Sequence, residues 1–217
     1  MSQFFDPQEP NNSPSDKRLY APATARNRDV LLEVFLAHLP KTGTLVEVAS
    51  GTGEHAAHIA AHMAPLHWQP SDIEPEKLES INAWAQTSDA DNILPARRLN
   101  VIEDTFHDLV LPAPLTAVSA INLIHIAPWS VAEALVQKAA TTLAEDGTLL
   151  LYGPYKRGGD HTSPSNESFD QSLKSRDAEW GVRDLEAVSS LATGHGFSAP
   201  TVIEMPANNL SLIFKKR

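Results

Sequence analysis

The sequence predicts an α/β fold: a mostly parallel sheet with helices on both faces and an antiparallel hairpin strand at its C-terminal end. Three observations predict it. An apolar run, Leu45 to Val48, stops at Ala49-Ser50-Gly51-Thr52-Gly53 and gives way to an alanine-rich helical segment. Strand-like and helix-like segments then alternate along the chain, which is the pattern of repeated βα units. The chain closes on two apolar runs, Thr201 to Met205 and Leu210 to Phe214, joined by Pro206-Ala207-Asn208-Asn209, which suits a hairpin.

Taken in order, residues Met1 to Lys17 are polar and proline-bearing and read as a flexible N-terminal arm. Residues 18–217 read as a single domain. Asn27 to His38 has apolar residues at helical spacing and is closed by Pro40. Thr44 to Ala49 is the first strand and Glu54 to Met63 its helix. Leu66 to Pro70 is the second strand, followed by a helix from Pro75, a residue suited to a first turn, to Gln86. Ile93 to Leu99 is a weaker strand, Leu115 to Leu123 a strong one, and Pro128 to Leu143 a long helix. Asp146-Gly147 turns into the strand Thr148 to Tyr152. Gly153 to Trp180 is polar and reads as a long loop with a short helix around Glu167 to Ser175. Val182 to Thr193 is a helix ended by Gly194 and Gly196.

Composition removes several function classes. A formal net charge of −10 argues against nucleic acid as the main partner, because that binding rests on Lys and Arg neutralising phosphates. The absence of cysteine excludes disulfides, thiolate catalysis and sulfur-ligated zinc. No apolar run is long enough to span a membrane, and the N-terminus lacks a secretory pattern, so the cytoplasm is the expected location.

The turn at Gly51 and Gly53 is the first candidate site. A residue without Cβ lets the chain turn sharply and lets a ligand approach the backbone, while the helix that follows presents unpaired N–H groups. In such sheets ligands lie at the carboxyl ends of strands. Asp72 falls at the end of the second strand, where an acid accepts hydrogen bonds from ribose hydroxyls. Asn100 follows the third strand, and Asn122 to His125 follow the fourth. The run Gly51-Thr52-Gly53-Glu54-His55-Ala56 also fits the dinucleotide pattern G-x-G-x-x-A. Glu47 and Glu54 oppose that reading, since carboxylates repel a pyrophosphate and favour a cationic ligand.

The run Glu47-Val48-Ala49-Ser50-Gly51-Thr52-Gly53 resembles the first motif of class I S-adenosylmethionine-dependent methyltransferases. The whole chain from Tyr20 resembles the methyltransferase-like 26 family. The resemblance is carried by Tyr20 to Arg28, Val46 to His55, Trp68 to Asp72, Asn122 to Ile126, Leu151 to Tyr155 and Asn208 to Leu210. It implies a Rossmann-like class I methyltransferase fold with seven strands, the last inserted antiparallel. It implies S-adenosylmethionine as cofactor and S-adenosylhomocysteine as product. Glu47, Ala49, Ser50, Gly51 and Gly53 would line the methionine and ribose parts, Asp72 would hold the ribose and Ile73 would lie against adenine. Asn100 and Val101 match the pair after the third strand, although many members of the class carry Asp where Asn100 stands.

His125 and Asn122 are the candidates for chemistry. His125 follows the fourth strand, where the resemblance places a methyl acceptor, and an imidazole there can act as general base. Tyr20, Arg26, Asn27, Arg28 and Tyr155 are candidates for holding an acceptor, which is expected to be a small molecule. Structural roles stay open beside these: a plain tight turn at Gly51 and Gly53, an N-cap at Asp72, a paired buried acid at Glu47, a hydrogen-bonded strand-end histidine at His125, and surface salt bridges for the arginines. His55, His58 and His62 share a helix face, but the glutamate of a zinc-protease motif is missing, and no metal is expected. Two other functions stay open, a non-catalytic protein that keeps this fold and a nicotinamide-dependent oxidoreductase.

Overall fold

In the computed structural model, which describes residues 16–217, Thr44–Val48 forms β1, and every residue in it is buried. An unbroken apolar strand of this kind is stable only when covered on both faces. By contacts the chain divides into two compact units, 1–100 with 109–117 and 101–108 with 118–217. Of the arm expected over residues 1–17, residues 1–15 lie outside the described residues.

In the first unit, helix α1 runs from Pro22 to His38, five residues earlier than the apolar spacing predicts. Pro22 occupies the first turn, where its fixed φ suits a helix and its missing N–H is no loss. No capping side chain marks that start, and Pro22 is its one local signal, lying ahead of the apolar spacing. After β1, helix α2 covers Glu54–Ile59 and tightens into a 3-10 turn at Ala60–Met63. Strand β2 is His67–Asp72, α3 is Pro75–Thr87 and β3 is only Arg97–Arg98. The expected strand from Ile93 shrinks to one bridge between Ile93 and Trp68, because Pro95 has no N–H to donate to a ladder. Gln69 compensates by donating from its amide to the carbonyls of Pro70 and Pro95. Within this unit β1 pairs parallel to β2 in the register Val46↔Gln69, and β2 pairs parallel to β3. The strand order here is β3-β2-β1-β4, where β4 is Leu115–Ile121.

The second unit takes over β4 from Val118. It contains α4 (Trp129–Thr142), β5 (Thr148–Arg157), β6 (Asp160–His161), α5 (Pro164–Arg176), β7 (Arg183–Asp184), α6 (Leu185–Gly194), β8 (Thr201–Met205) and β9 (Asn209–Lys215). Its order is β4-β5-β9-β8, with β9 antiparallel to both β5 and β8. The path therefore has the seven expected strands and the expected antiparallel end. Two short strands bring the total to nine, β6 and β7 flanking the end of β5.

The stretch expected as a long loop is mostly ordered. β5 continues to Arg157 and folds back through Gly158 and Gly159, both at positive φ. That is the geometry of a two-residue hairpin turn. Helix α5 begins at Pro164, and the hydroxyl of its N-cap Ser163 accepts from the Asn166 N–H. Asp184 caps α6 in the same way, accepting from Glu186 and Ala187. Among the described residues, no helix is long and apolar enough to cross a membrane.

Candidate functional site

The glycine turn follows β1 directly. Three residues in it take left-handed φ values, Ala49 at 55°, Gly51 at 60° and Gly53 at 91°. For Gly53 the reason is packing as well as conformation, since a Cβ there would lie 2.6 Å from the Ile81 Cα of α3. At Gly51 a Cβ would meet no atom of the described residues within 4 Å, so among them that side of the turn is open. Ala49 carries a Cβ in a region that L-residues avoid, at a cost of roughly 1–2 kcal/mol. Such strain persists only where the surroundings over-determine the backbone.

Those surroundings are polar. Asp72, the last residue of β2, accepts from the Gly51 N–H through Oδ2 at 2.9 Å. Its Oδ1 accepts from Ile73 and Glu74 at 2.8 and 3.2 Å. Asp72 thus fixes two turns at once, and the N-cap of α3 is Glu74 instead. A carboxylate has about four lone-pair sites, so one on Oδ2 is left for another donor. Ser71 Oγ and Ser50 Oγ both donate to the Glu47 carbonyl, and the Ser71 N–H donates to Ser50 Oγ. Beside this network Ile73 is 54% exposed, an unusual position for a large apolar side chain.

Glu47 is fully buried, and its Oε2 accepts from the indole of Trp68 at 3.1 Å. Its partner is therefore an indole, neither a lysine nor a helix end. Burial raises its pKa to about 7, against the hydrogen bonds from Ser50 and Trp68, which lower it. Glu54, at the start of α2, accepts from the Ala21 N–H at 2.6 Å and from Thr52 Oγ1 at 2.9 Å. Burial raises its pKa too, while these bonds and the charge of Arg28 oppose the shift.

The residues before and along α1 are placed differently from one another. Tyr20 packs edge-on against Trp84, with ring centroids 5.1 Å apart. Asn27 is buried, and its Oδ1 lies 2.9 Å from His55 Nε2, so the ring N–H donates to the amide oxygen. Burial lowers the His55 pKa to about 3 and keeps the ring neutral. Arg26 is exposed, and Arg28 is half-buried, its charge reaching Glu54 and His55. Among the described residues, no group of three or more His, Cys, Asp or Glu is arranged to hold a metal. Asn100 is half-buried at the end of this unit.

In the second unit Val101 is buried, and the Lys138 ammonium donates to the carbonyls of Val101, Ile102 and Asp104. Asn122 sits at φ 56°, a conformation asparagine tolerates better than most residues, and its N–H donates to the Tyr152 carbonyl at 2.9 Å. His125 is 1% exposed, and its ring lies against Gly153 of β5. A Cβ on Gly153 would stand 2.9 Å from His125 Cε1. Phe169 meets the ring edge-on at 5.7 Å. Burial, then the charge of Arg183, lowers the His125 pKa to about 3. Arg183 also braces the loop by donating to the carbonyls of Ile124 and Ala127 at 2.9 and 2.6 Å. Tyr155 is buried on β5, its ionisation pushed up by burial, and its hydroxyl hydrogen-bonds to no described residue.

Three residues that hold these regions carry no motif: Ser80, whose hydroxyl donates to the Thr52 carbonyl at 2.7 Å, Asp170 and Arg183. Asp170 is buried on α5 and draws together Lys156, His161 and Lys174, while accepting from the Val182 N–H at 2.7 Å. Thr52 and Glu54 lie inside the glycine turn's own segment, and Trp68 and Ser71 inside the segment that ends at Asp72, where a sequence signal could find them.

Several solved structures share this architecture. Human N-acetylserotonin methyltransferase, solved in complex with SAM, matches with a TM-score of 0.72 at 14% identity, over 89% of this chain and 52% of that one. An O-methyltransferase family protein from Burkholderia thailandensis matches with 0.72 at 14%, over 89% and 57%. A methyltransferase of calicheamicin biosynthesis, in its SAH-bound form, matches with 0.71 at 12%, over 90% and 54%. The chain spans about half the length of these structures, and identities this low show the fold: that of the class I S-adenosylmethionine-dependent methyltransferases. Residues 18–216 match one family model, so the chain belongs to the family described as Protein of unknown function (DUF938).

Proposed function

We propose that this chain binds S-adenosylmethionine at the glycine turn and transfers its methyl group to a small-molecule acceptor. The observation that carries the proposal is the turn itself: Gly51 is open on its Cβ side while its N–H is held by Asp72. The residues present fit the group. Gly51 and Gly53, with Ala49 and Ser50, give a backbone that a ligand can approach. Asp72 Oδ2 keeps a lone pair for a ribose hydroxyl, and the exposed Ile73 offers an apolar face to adenine. Glu47, Glu54 and Asp72 make the surroundings acidic, which suits a sulfonium and opposes a pyrophosphate. Asn100 and Val101 complete the proposed adenine edge. The cofactor supplies a methyl group already activated on sulfur, so the protein has to orient the acceptor, exclude water and handle one proton.

For that proton we carry His125, with Asn122 beside it in sequence. A neutral imidazole has an acceptor nitrogen; a pKa of about 3 keeps His125 neutral throughout the physiological range and makes it a weak base, suited to take the acceptor's proton only as methylation makes that proton strongly acidic. Tyr20, Arg26, Asn27, Arg28 and Tyr155 are the proposed acceptor contacts; the Tyr155 hydroxyl is the polar group best suited to a buried ligand. The net charge of −10 supports a small molecule over a nucleic acid, and the cytoplasm is the proposed location. The segments that resemble the methyltransferase-like 26 family favour the same reading.

Calorimetry with SAM, SAH and NADH on the wild type and Asp72→Asn tests the cofactor. We expect SAM and SAH to bind, and the variant to lose about 1–2 kcal/mol. Binding of NADH alone would replace this reading with an oxidoreductase, and binding of none of them with a non-catalytic protein. His125→Asn and Asn122→Ala should leave SAH binding intact while lowering methyl transfer from labelled SAM into small-molecule extract. Unchanged transfer in both variants removes the acceptor-side assignment.

A further inference from the structure

Thr52, between the two glycines of the turn, is gripped at both of its polar ends. Its carbonyl accepts from Ser80 Oγ at 2.7 Å, and its hydroxyl donates to Glu54 Oε2 at 2.9 Å. Each of these two groups also accepts an N–H from the chain just before α1. Ser80 Oγ accepts from Leu19 at 2.8 Å, and Glu54 Oε2 accepts from Ala21 at 2.6 Å. Two separate relays therefore tie residues 19–21 to one residue of the turn. The remaining contacts of this strap fall on α3. The Trp84 indole donates to the Leu19 carbonyl at 2.9 Å, Tyr20 packs edge-on against the same indole, and the Arg18 guanidinium lies 5.1 Å over its ring.

We propose that residues 19–21 form a clasp whose docking and the seating of adenosyl ligand at the glycine turn are one linked equilibrium, transmitted through Thr52. The proposal rests on the cofactor reading above. Its physical basis is that neither relay survives independent movement of the strap. If the strap leaves, Ser80 and Glu54 lose an N–H donor each, and both side chains that hold Thr52 are released to new rotamers. If the strap is docked, Ser80 Oγ accepts the Leu19 N–H on one lone pair and gives its single proton to the Thr52 carbonyl, so the two bonds together fix its rotamer. A ligand that needs the turn in its docked shape therefore favours the docked strap, and by linkage the strap favours the ligand by the same factor. Ser80 and Trp84 are positioning residues in this scheme. Neither belongs to the proposed set of cofactor contacts, and the Trp84 indole carries the strap's Leu19 carbonyl and Tyr20 ring.

The test measures both directions of the linkage on the full chain. Amide hydrogen exchange by NMR reads the Leu19 and Ala21 N–H groups with and without saturating SAH, and calorimetry reads SAH affinity in wild type, Ser80→Ala and Trp84→Phe. We expect SAH to slow exchange at both amides by about tenfold, and each substitution to weaken SAH by about fivefold or more. Trp84→Phe keeps an aromatic ring but removes the indole donor and part of the surface under Tyr20 and Arg18, all of them contacts of the strap, so it reports on the strap even if Ser80→Ala unfolds the chain. Exchange unchanged by SAH, or Trp84→Phe binding SAH as tightly as wild type, overturns the clasp and leaves the cofactor reading standing. A wild type that does not bind SAH overturns both.

Discussion

The glycine turn and the His125 loop both follow a strand of the sheet, yet they are held by different means. Around the turn, side chains grip the backbone: Asp72 takes the Gly51 N–H, Ser80 holds the Thr52 carbonyl, and Ser71 holds the carbonyl of Glu47. Around His125 the fit is one of volume, a ring laid on Gly153 and edged by Phe169, with Arg183 pinning two carbonyls of the loop. Hydrogen bonds of the first kind set a backbone shape that a ligand can read. Packing of the second kind sets where one ring sits. The difference teaches that side-chain bonds fix a main-chain shape at the turn, while packing at the loop fixes the place of a single side chain.

The comparison is most easily broken at its glycines. Gly53→Ala places a Cβ 2.6 Å from a helix backbone at a left-handed φ, and neither partner can yield. We expect a loss of about 3 kcal/mol in urea denaturation. Gly153→Ala meets a ring at 2.9 Å, and a ring can turn, so the loss should be smaller, about 1–2 kcal/mol. Equal losses would mean that the His125 ring is as immovable as backbone.

Acidification sharpens the contrast next. His55 in the first unit and His125 in the second each have a folded pKa near 3, against 6.5 unfolded. The unfolded chain takes up those protons first, so their contribution is present above pH 6.5 and is lost as pH falls toward 3. Glu47 acts in the opposite sense: its folded pKa of about 7 lies above the ordinary 4.5. Its contribution is present below pH 4.5 and lost as pH rises toward 7. Between 4.5 and 6.5 these three groups leave the unfolded chain one proton ahead, a loss of about 1.4 kcal/mol per pH unit on acidification. Glu47→Gln should steepen that slope to about 2.7 kcal/mol per unit, and His125→Asn should flatten it, both read from urea midpoints across this range. No change of slope in either variant contradicts the burial assigned here.

The two regions also differ in how legible they were in the sequence. The turn was readable because its requirements are local: positive φ at Gly51 and Gly53, an acid one strand later, an apolar strand before. Its supports were not, since Ser80 lies mid-helix and nothing in its neighbourhood marks it as a holder of Thr52. The alternation of strands and helices followed from periodicity and the antiparallel end from the terminal hairpin, while the count of seven principal strands was implied by the resemblance and their order is a finding of the structure. In the stretch from Gly153 to Trp180 the helix around Glu167 to Ser175 was legible, whereas the extension of β5 and the strand β6 were not, because the polarity of the stretch suggests a loop. Its own signals were a glycine pair suited to a hairpin and a Ser-Pro helix start, and its order depends on Asp170, whose partners are distant in sequence. For His125 the sequence marked the position but not the burial, because the glycine that receives the ring is 28 residues away.

The most direct measurement is SAH calorimetry on Gly51→Ala beside Gly153→Ala. A Cβ at Gly51 meets no atom of the described residues, so that variant should stay within about 1–2 kcal/mol of wild-type stability and yet lose SAH binding, because the Cβ would occupy the ligand's side of the turn. Gly153→Ala should bind SAH like the wild type. Tight SAH binding by Gly51→Ala, or loss of it in Gly153→Ala alone, would contradict the assignment of the cofactor to the glycine turn.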